Sequence, residues 1–158
     1  MFWPRRRIGV SFAVESPKWA DAVPDAEKIA LRAARAAFKA AGTKVPRGAE
    51  VSVLLTDDKG IRKLNRLWRG KDRATNVLAF ETGDDLMPGD IALSIDTLVR
   101  EAKAQGTDLR AHLAHLAAHG ALHLLGFDHI DADDADEMEF YEKRILREMG
   151  FRVRHIPD

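Results

Sequence analysis

Residues 119–129 of this 158-residue chain read His119-Gly120-Ala121-Leu122-His123-Leu124-Leu125-Gly126-Phe127-Asp128-His129. Two histidines four residues apart on a helix project in nearly the same direction, about one turn apart, so both imidazoles can reach one point. Gly126 can adopt the left-handed conformation that ends a helix and reverses the chain, which lets His129 approach the same point. This stretch predicts a metal site built from a helix and the turn that follows it.

The three candidate ligands are His119, His123 and His129. Three neutral imidazoles in a chain without cysteine are typical of an open zinc site, in which the fourth position is left to water. Such a water loses its proton near pH ~7. We therefore expect one zinc ion per chain, although the same donors also suit nickel, copper or cobalt.

Two further histidines, His112 and His115, fall on the same stripe of the helix. A triple on one straight helix cannot easily surround an ion, whereas the turn at Gly126 allows a third ligand to approach from another side. We therefore interpret His112 and His115 as residues that orient the ligands or pack against them.

The composition limits the class of protein. A chain of 158 residues without cysteine is long enough to form a single domain, residues 1–158, with a core that needs no disulfides. The 25 basic and 25 acidic residues cancel, so net charge does not indicate a polyanionic partner. The N-terminal residues contain no apolar stretch long enough for a signal peptide or a membrane span, so we expect a cytoplasmic protein without a membrane partner.

Apolar periodicity, helix caps and glycines predict the order strand, helix, strand, helix, strand, strand and then three helices. The expected strands are residues 8–14, 51–55, 75–80 and 89–94, and the expected helices are residues 25–41, 58–68, 96–105, 108–125 and 131–149. The last two strands are expected to form a hairpin. This order predicts an α+β (mixed α/β) fold, with a single mixed sheet of about four strands covered by about five helices.

A second candidate site is a basic segment around the end of the second predicted helix. Seven cations lie between residues 59 and 73 against one acid, Asp72: Lys59, Arg62, Lys63, Arg66, Arg69, Lys71 and Arg73. Arginine matches phosphate oxygens and an aromatic ring can stack on unpaired bases, so the segment with Trp68 is a plausible RNA-binding surface. The alternative is a solvated helix face with Trp68 in the core, and the segment alone does not decide between the two.

The metal site and the basic segment together indicate a class of reaction. A zinc-bound hydroxide needs an electrophile, and a nearby arginine can neutralise the charge that develops on phosphate oxygens in the transition state. Hydrolysis of a phosphodiester fits both features.

The chain resembles the YbeY family of bacterial endoribonucleases over residues 51–150. The resemblance lies in four stretches, Trp68-Arg69-Gly70-Lys71-Asp72, Thr75-Asn76-Val77-Leu78, Gly89-Asp90-Ile91 and the histidine motif of residues 119–129. It implies a single-strand-specific, zinc-dependent endoribonuclease that acts in ribosomal RNA maturation and ribosome quality control. The implied partners are RNA, the small ribosomal subunit and its proteins, with no DNA expected.

The resemblance also implies roles for individual residues. His119, His123 and His129 would be the zinc ligands, and Arg69 matches the family's arginine in the basic turn, which acts with the metal site on RNA. We place His119 and Arg69 in the catalytic site, and we add Asp128 because it is adjacent to His129 and could orient that ring or a water. We expect RNA contacts from three neighbouring cations of the basic segment, Arg66, Lys71 and Arg73.

The chain departs from the family pattern at three positions. Ala74 stands where the family often has proline, Ala79 where a serine is usual, and Glu81 where a proline commonly follows the phenylalanine. A carboxylate at Glu81 would repel a phosphate if it pointed towards the substrate.

Two alternatives to a metal-dependent endoribonuclease remain open. The spacing of His119, His123, Gly126 and His129 also matches the metzincin peptidases, but those enzymes have a glutamate base after the first histidine, where this chain has Gly120. The other alternative is a non-catalytic RNA or ribosome-assembly factor with a structural zinc, completed by Asp128 or by His155.

Overall fold

The computed structural model describes residues 7–42, 44–127 and 132–152. Those ranges form one four-stranded sheet and six helices, so the predicted α+β fold class is confirmed. The strands are β1 (Gly9–Val14), β2 (Glu50–Thr56), β3 (Val77–Glu81) and β4 (Gly89–Ser94). The helices are α1 (Lys18–Ala22), α2 (Ala26–Ala40), α3 (Asp58–Arg69), α4 (Ile95–Gln105), α5 (Leu109–Leu124) and α6 (Ala132–Glu148).

The sheet is mixed, with the strand order β1-β2-β4-β3. Strand β2 runs parallel to both β1 and β4, and β3 pairs with β4 as the predicted antiparallel hairpin. Strands β1 and β3 are therefore the two edges of the sheet within the described residues. Helices α2, α5 and α6 contact one another, and α5 also packs on β3 and β4.

Helix α1 was not predicted. It is only five residues long, which is too short for apolar periodicity to be recognised. Its Trp19 is buried, and the indole Nε1 donates a hydrogen bond of 2.8 Å to the Thr56 carbonyl. The helix therefore exists because tertiary packing anchors this tryptophan beside the end of β2.

Two helices begin at the predicted side-chain caps, and two end at the predicted glycines. The Asp57 side chain accepts from Gly60 N at 3.0 Å at the start of α3, and the Asp108 side chain accepts from Arg110 N at 2.7 Å at the start of α5. Helices α3 and α4 end at Gly70 and Gly106, which are left-handed at φ 68° and 65°.

Helix α5 is the centre of the core. Its buried positions cover most of the helix surface, and the part-buried residues Ala111, His115, His119 and His123 form one stripe along it. The buried positions are His112, Leu113, Ala114, Leu116, Ala117, Ala118, Gly120, Ala121, Leu122 and Leu124. The candidate metal ligands therefore lie on the most enclosed helix of the fold. No helix in the described ranges is both long and apolar enough to cross a membrane.

Candidate functional site

The structure brings the first two predicted ligands together. The Nε2 atoms of His119 and His123 lie 3.1 Å apart, and the two rings meet edge to face with centroids 4.6 Å apart. Two imidazole ligands of a tetrahedral zinc ion with bonds of about 2.0–2.1 Å have their nitrogen atoms roughly 3.3 Å apart. The spacing of these two nitrogen atoms is therefore close to that of two ligands of one metal ion.

A carboxylate lies behind the first ligand. His119 Nδ1 donates to Glu142 Oε1 at 2.5 Å, and His115 Nε2 donates to Glu142 Oε2 at 2.9 Å. Burial raises the pKa of the Glu142 carboxyl, but the hydrogen bonds from His115 and His119 outweigh it and bring that pKa down to about 2. Glu142 is therefore an ionised, enclosed carboxylate that accepts one imidazole N–H on each oxygen.

The predicted turn follows directly after the second ligand. Gly126 has φ 92°, its N–H donates to the His123 carbonyl at 3.0 Å, and Phe127 N donates to the Leu122 carbonyl at 3.1 Å. This pair of bonds is a Schellman motif, which ends a helix and redirects the chain. Phe127 then stacks edge to face on Tyr141 of α6, with centroids 5.3 Å apart. The turn thus directs the chain towards α6.

The third predicted ligand, His129, lies outside the described residues, as do Asp128 and His155. Within residues 7–42, 44–127 and 132–152, no group of three or more histidine, cysteine or acidic side chains could hold a metal ion. The described part of the chain therefore contributes two imidazoles with fitting geometry, and a third ligand would come from the segment after the Gly126 turn.

A side chain at Gly120, where a metzincin has its glutamate base, would make tight contacts with the sheet. A Cβ atom on Gly120 would lie 3.0 Å from Ile91 Cγ2 and 3.3 Å from Val77 Cγ2. A side chain at this position would point into the sheet and not towards His119 Nε2. The glycine is thus explained by the close approach of α5 to β3 and β4.

His112 lies further from the two ligands, near the start of α5. It is buried, and its Nε2 donates to Glu101 Oε1 of α4 at 3.0 Å. Asn76 Nδ2 donates to the same oxygen, also at 3.0 Å. Burial lowers the pKa of His112, and the hydrogen bond to Glu101 only partly offsets this effect. His112 therefore links α5, α4 and the residue before β3, whereas His115 contacts the carboxylate behind His119.

Five of the seven cations of the basic segment line an open groove of about 770 Å³ along α3. The lining residues are Asp58, Lys59, Arg62, Lys63, Arg66, Asp72, Arg73 and Ala74. Both acids are already engaged: Asp72 accepts from Arg62 at 2.8 Å, and Asp58 accepts from Ser94 and Thr97 at 2.7 and 2.6 Å. The groove, hereafter the basic groove, therefore has an excess of positive charge.

The predicted RNA-binding residues divide between the groove and the turn beside it. Arg66 and Arg73 line the basic groove, whereas Lys71 is an exposed turn residue outside its lining. The turn is held by buried Asn65, whose Nδ2 donates to the Arg73 carbonyl at 3.0 Å and whose own carbonyl accepts from Lys71 N at 3.2 Å.

Trp68 lies in solvent. Its side chain is 70% exposed and that of Leu67 is 63% exposed, both at the end of α3. The alternative that placed Trp68 in the core is therefore wrong. The core face of α3 carries Ile61 and Asn65, so Trp68 is left free to contact a partner.

Arg69 reaches across to the edge strand β3. Its Nη2 donates to the Ala79 carbonyl at 2.6 Å, and its guanidinium carbon lies 5.1 Å from the centroid of the Phe80 ring. These contacts hold the cation against the strand on which α5 packs through Gly120 and Val77.

Glu81, the unusual acid at the end of β3, is exposed. It lines a smaller cavity of about 290 Å³ with Lys44, Leu125 and Gly126, among others. The carboxylate therefore lies beside the turn that follows α5 and not in the basic groove.

Sequence reasoning missed Glu142 and Asn65. Glu142 lies between buried Met138 and Ile145 on α6, and Asn65 lies one turn after buried Ile61 on α3. A polar side chain on an apolar stripe must find a partner in the interior. A polar residue that interrupts the apolar periodicity of a helix could therefore have identified both residues from the sequence.

A family model and several known proteins that match this chain share one description. The family model described as Endoribonuclease YbeY matches residues 15–150. An Endoribonuclease YbeY of Azorhizobium caulinodans is 48% identical, with 89% of this chain and 92% of that protein covered. One from Gluconobacter oxydans is 41% identical, with coverage of 94% and 88%.

A solved structure shares the fold. The solution structure of TM1509 from Thermotoga maritima superposes with a TM-score of 0.55 at 23% identity, covering 89% of this chain and 91% of that one. A match of the family model over most of the chain, together with these relatives, shows that the chain belongs to the YbeY endoribonuclease family.

Proposed function

We propose that this chain is a zinc-dependent endoribonuclease that cleaves single-stranded ribosomal RNA during rRNA maturation and ribosome quality control in the cytoplasm. The observation that carries the proposal is the convergence of His119 Nε2 and His123 Nε2 at 3.1 Å on a chain of the YbeY family. The small ribosomal subunit and its proteins are the proposed partners.

His119 and His123, with His129 from the following segment, would hold the ion. When bound, zinc supplies a Lewis acid and lowers the pKa of a water ligand to about 7, which makes a nucleophile for a phosphodiester at neutral pH. Both Nε2 atoms, which lie 3.1 Å apart, must present lone pairs to a metal, so each of the two rings would carry its proton on Nδ1 when the ion is bound.

The chain's other residues would bind and orient the RNA. Arg66 and Arg73 line the basic groove, and Lys71 lies in the adjoining turn, where all three can contact phosphates. Trp68, exposed beside them, offers a surface on which an unpaired base can stack. Stacking requires a base free of its duplex, which favours single-stranded RNA.

Arg69 is the residue proposed to stabilise the charge that develops on the phosphate. Only one N–H of its guanidinium is used in the bond to the Ala79 carbonyl, and a guanidinium has five donors. The remaining donors are available to a phosphodiester laid along the outer edge of β3. Removing one such electrostatic contact typically costs about 100- to 1,000-fold in kcat.

Asp128 is proposed to orient His129 or the attacking water. Cleavage of RNA by Asp128→Ala, with zinc content measured in the same sample, tests this role. We expect a large loss of kcat with zinc retained. A weak loss of activity would remove Asp128 from the catalytic site.

The main test combines metal content and cleavage. Elemental analysis of the purified protein should find about one zinc per chain. His123→Ala should lose the zinc, and either this change or chelation should abolish cleavage of a structured RNA with single-stranded loops. Arg69→Ala should keep the zinc and lose activity, while Arg32→Ala, which removes an exposed cation of α2, should keep both.

Two results would overturn the proposal. Cleavage that survives complete chelation would show that the reaction does not use a metal. Loss of zinc together with loss of the folded state, with no cleavage by the intact protein, would identify a ribosome-assembly factor with a structural zinc.

A further inference from the structure

Glu142 occupies a position of α6 that packing alone would give to an apolar residue. It is 5% exposed, and the residues one turn before and after it, Met138 and Ile145, are 2% and 0% exposed. A buried carboxylate is costly unless its oxygens are paired, and an apolar residue of similar size is often at least as stable in such a place. The carboxylate therefore calls for an explanation beyond packing.

Both oxygens of Glu142 are directed at imidazoles of α5. Oε1 accepts from His119 Nδ1 at 2.5 Å, and Oε2 accepts from His115 Nε2 at 2.9 Å. An ionised carboxylate has no proton to donate, so the ring nitrogen that it contacts must carry the hydrogen. The contact at Nδ1 thereby leaves Nε2 of His119 as the nitrogen with the lone pair.

This nitrogen is the one that faces His123. His119 Nε2 lies 3.1 Å from His123 Nε2, whereas the Glu142 contact is on the opposite side of the His119 ring. If the proton moved to Nε2, it would point at the position that the two rings share. The tautomer of His119 thus decides whether that position can accept a cation.

We propose that Glu142 is a positioning residue that holds His119 with its proton on Nδ1 and so presents the Nε2 lone pair to the metal position. His115 acts through Glu142, because it holds the second oxygen and fixes the plane of the carboxylate. The cation is the one assigned under the proposed function, on which this role rests. Because His119 lies on α5 and Glu142 on α6, the packing of these helices would set the affinity for the metal.

The matched variants are Glu142→Ala and Glu139→Ala. Both remove a carboxylate from α6, but Glu139 pairs with Lys143 at 2.8 Å on the partly exposed side of the helix. Glu142→Gln is the conservative variant, since its amide oxygen can still accept from His119 Nδ1.

Two measurements follow the proposal. Nitrogen-15 NMR of the chelated full-length protein reports which ring nitrogen of His119 carries the proton, and competition with a coloured zinc chelator gives the zinc affinity. We expect the Nδ1–H form in the wild type and in Glu139→Ala, and a shift towards Nε2–H in Glu142→Ala. Zinc affinity should fall about 10- to 100-fold in Glu142→Ala, and less in Glu142→Gln.

A wild-type His119 with its proton on Nε2 would overturn the proposal, and this result needs no variant to fold. A folded Glu142→Ala whose zinc affinity stays within about twofold of the wild type would also overturn it. A third outcome is that the wild type binds no zinc but has the Nδ1–H form of His119, and that this form is lost in Glu142→Ala. In that case the positioning role stands and the proposed function fails. The two failures are thus distinguishable.

Discussion

At Gly120, helix α5 passes so close to the sheet that a side chain would make tight contacts with its neighbours. The atoms that an added Cβ would meet are methyl groups of Ile91, at 3.0 Å, and Val77, at 3.3 Å. Glycine inside a helix is unfavourable by roughly 0.5–1 kcal/mol relative to alanine, so its presence here reflects packing. The same contact keeps β3 and β4 against the helix that carries the candidate ligands.

We expect Gly120→Ala to lower the free energy of unfolding by about 1–3 kcal/mol, because overpacking outweighs the gain in helix propensity. Urea denaturation at a fixed zinc concentration measures this change. In a Val77→Ala background, which removes one of the two contacts, the cost of Gly120→Ala should be smaller. Stabilisation by Gly120→Ala in the wild-type background would contradict the packing explanation.

His112 predicts a pH dependence of stability. Its folded pKa is below the ordinary value of 6.5, chiefly because of burial, so the unfolded chain binds the proton more readily. The neutral form therefore contributes stability above pH 6.5, and this contribution is lost as the pH falls towards the folded pKa.

The measurement is the free energy of unfolding of the chelated protein between about pH 7.5 and 5.5. It should decrease as the pH falls, and the decrease should be smaller in His112→Gln. The lowered pKa of Glu142 affects stability only below its ordinary value of 4.5, outside this window. An equal slope in the two proteins would show that His112 does not titrate differently on folding.

At the scale of elements, helix α3 has a core-facing side and an exposed, cationic side. Its core side carries Ile61 and Asn65, and its outer side carries the cations of the basic groove and the exposed Trp68. Asn65 joins the two, because it packs inside while holding the carbonyl of Arg73. The helix thereby presents the cations on a rigid element and fixes the basic turn after it.

We expect Arg66→Ala to weaken binding of a single-stranded RNA and to reduce the slope of log affinity against log salt by about 0.7, the value for one phosphate contact. Fluorescence anisotropy at several salt concentrations measures both quantities. Arg32→Ala removes an exposed cation of α2, outside the groove, and should leave the slope unchanged. Equal effects of the two changes would mean that the basic groove is not the RNA-binding surface.

For the whole molecule, the candidate metal site lies between the last two helices. The candidate ligands His119 and His123 belong to α5, the turn at Gly126 leads towards α6, and Glu142 of α6 contacts His119. A metal bound here would join segments that are separate in the unfolded chain. Metal binding should therefore contribute to the stability of the whole fold.

We expect the thermal midpoint to rise with the concentration of free zinc, because the ion binds the folded state. The stabilisation is about 2.7 kcal/mol when free zinc is 100 times the dissociation constant. Scanning calorimetry over a zinc titration measures it, with His123→Ala as the variant that should lose the dependence. Magnesium at the same concentrations is the control ion, since imidazoles bind it poorly. A midpoint independent of zinc in the wild type would contradict a metal site in this position.

Local sequence was sufficient for most elements. Caps such as Asp57 and Asp108 and the terminal glycines Gly70 and Gly106 satisfy or redirect backbone groups within a few residues. Their effect does not depend on distant parts of the chain. The pattern of strands and helices likewise predicted the mixed sheet and its hairpin, and the spacing of His119 and His123 predicted that their nitrogens would meet.

Only the tertiary structure decided which residues of distant segments contact these elements. The strand order, the short helix α1, the exposure of Trp68 and the contact of Arg69 with Ala79 all depend on packing between segments distant in the sequence. Glu142 is the clearest case, since it meets His119 from 23 residues away. Helix periodicity indicates that a residue faces inward, but only the docking of α6 on α5 determines which imidazole it faces.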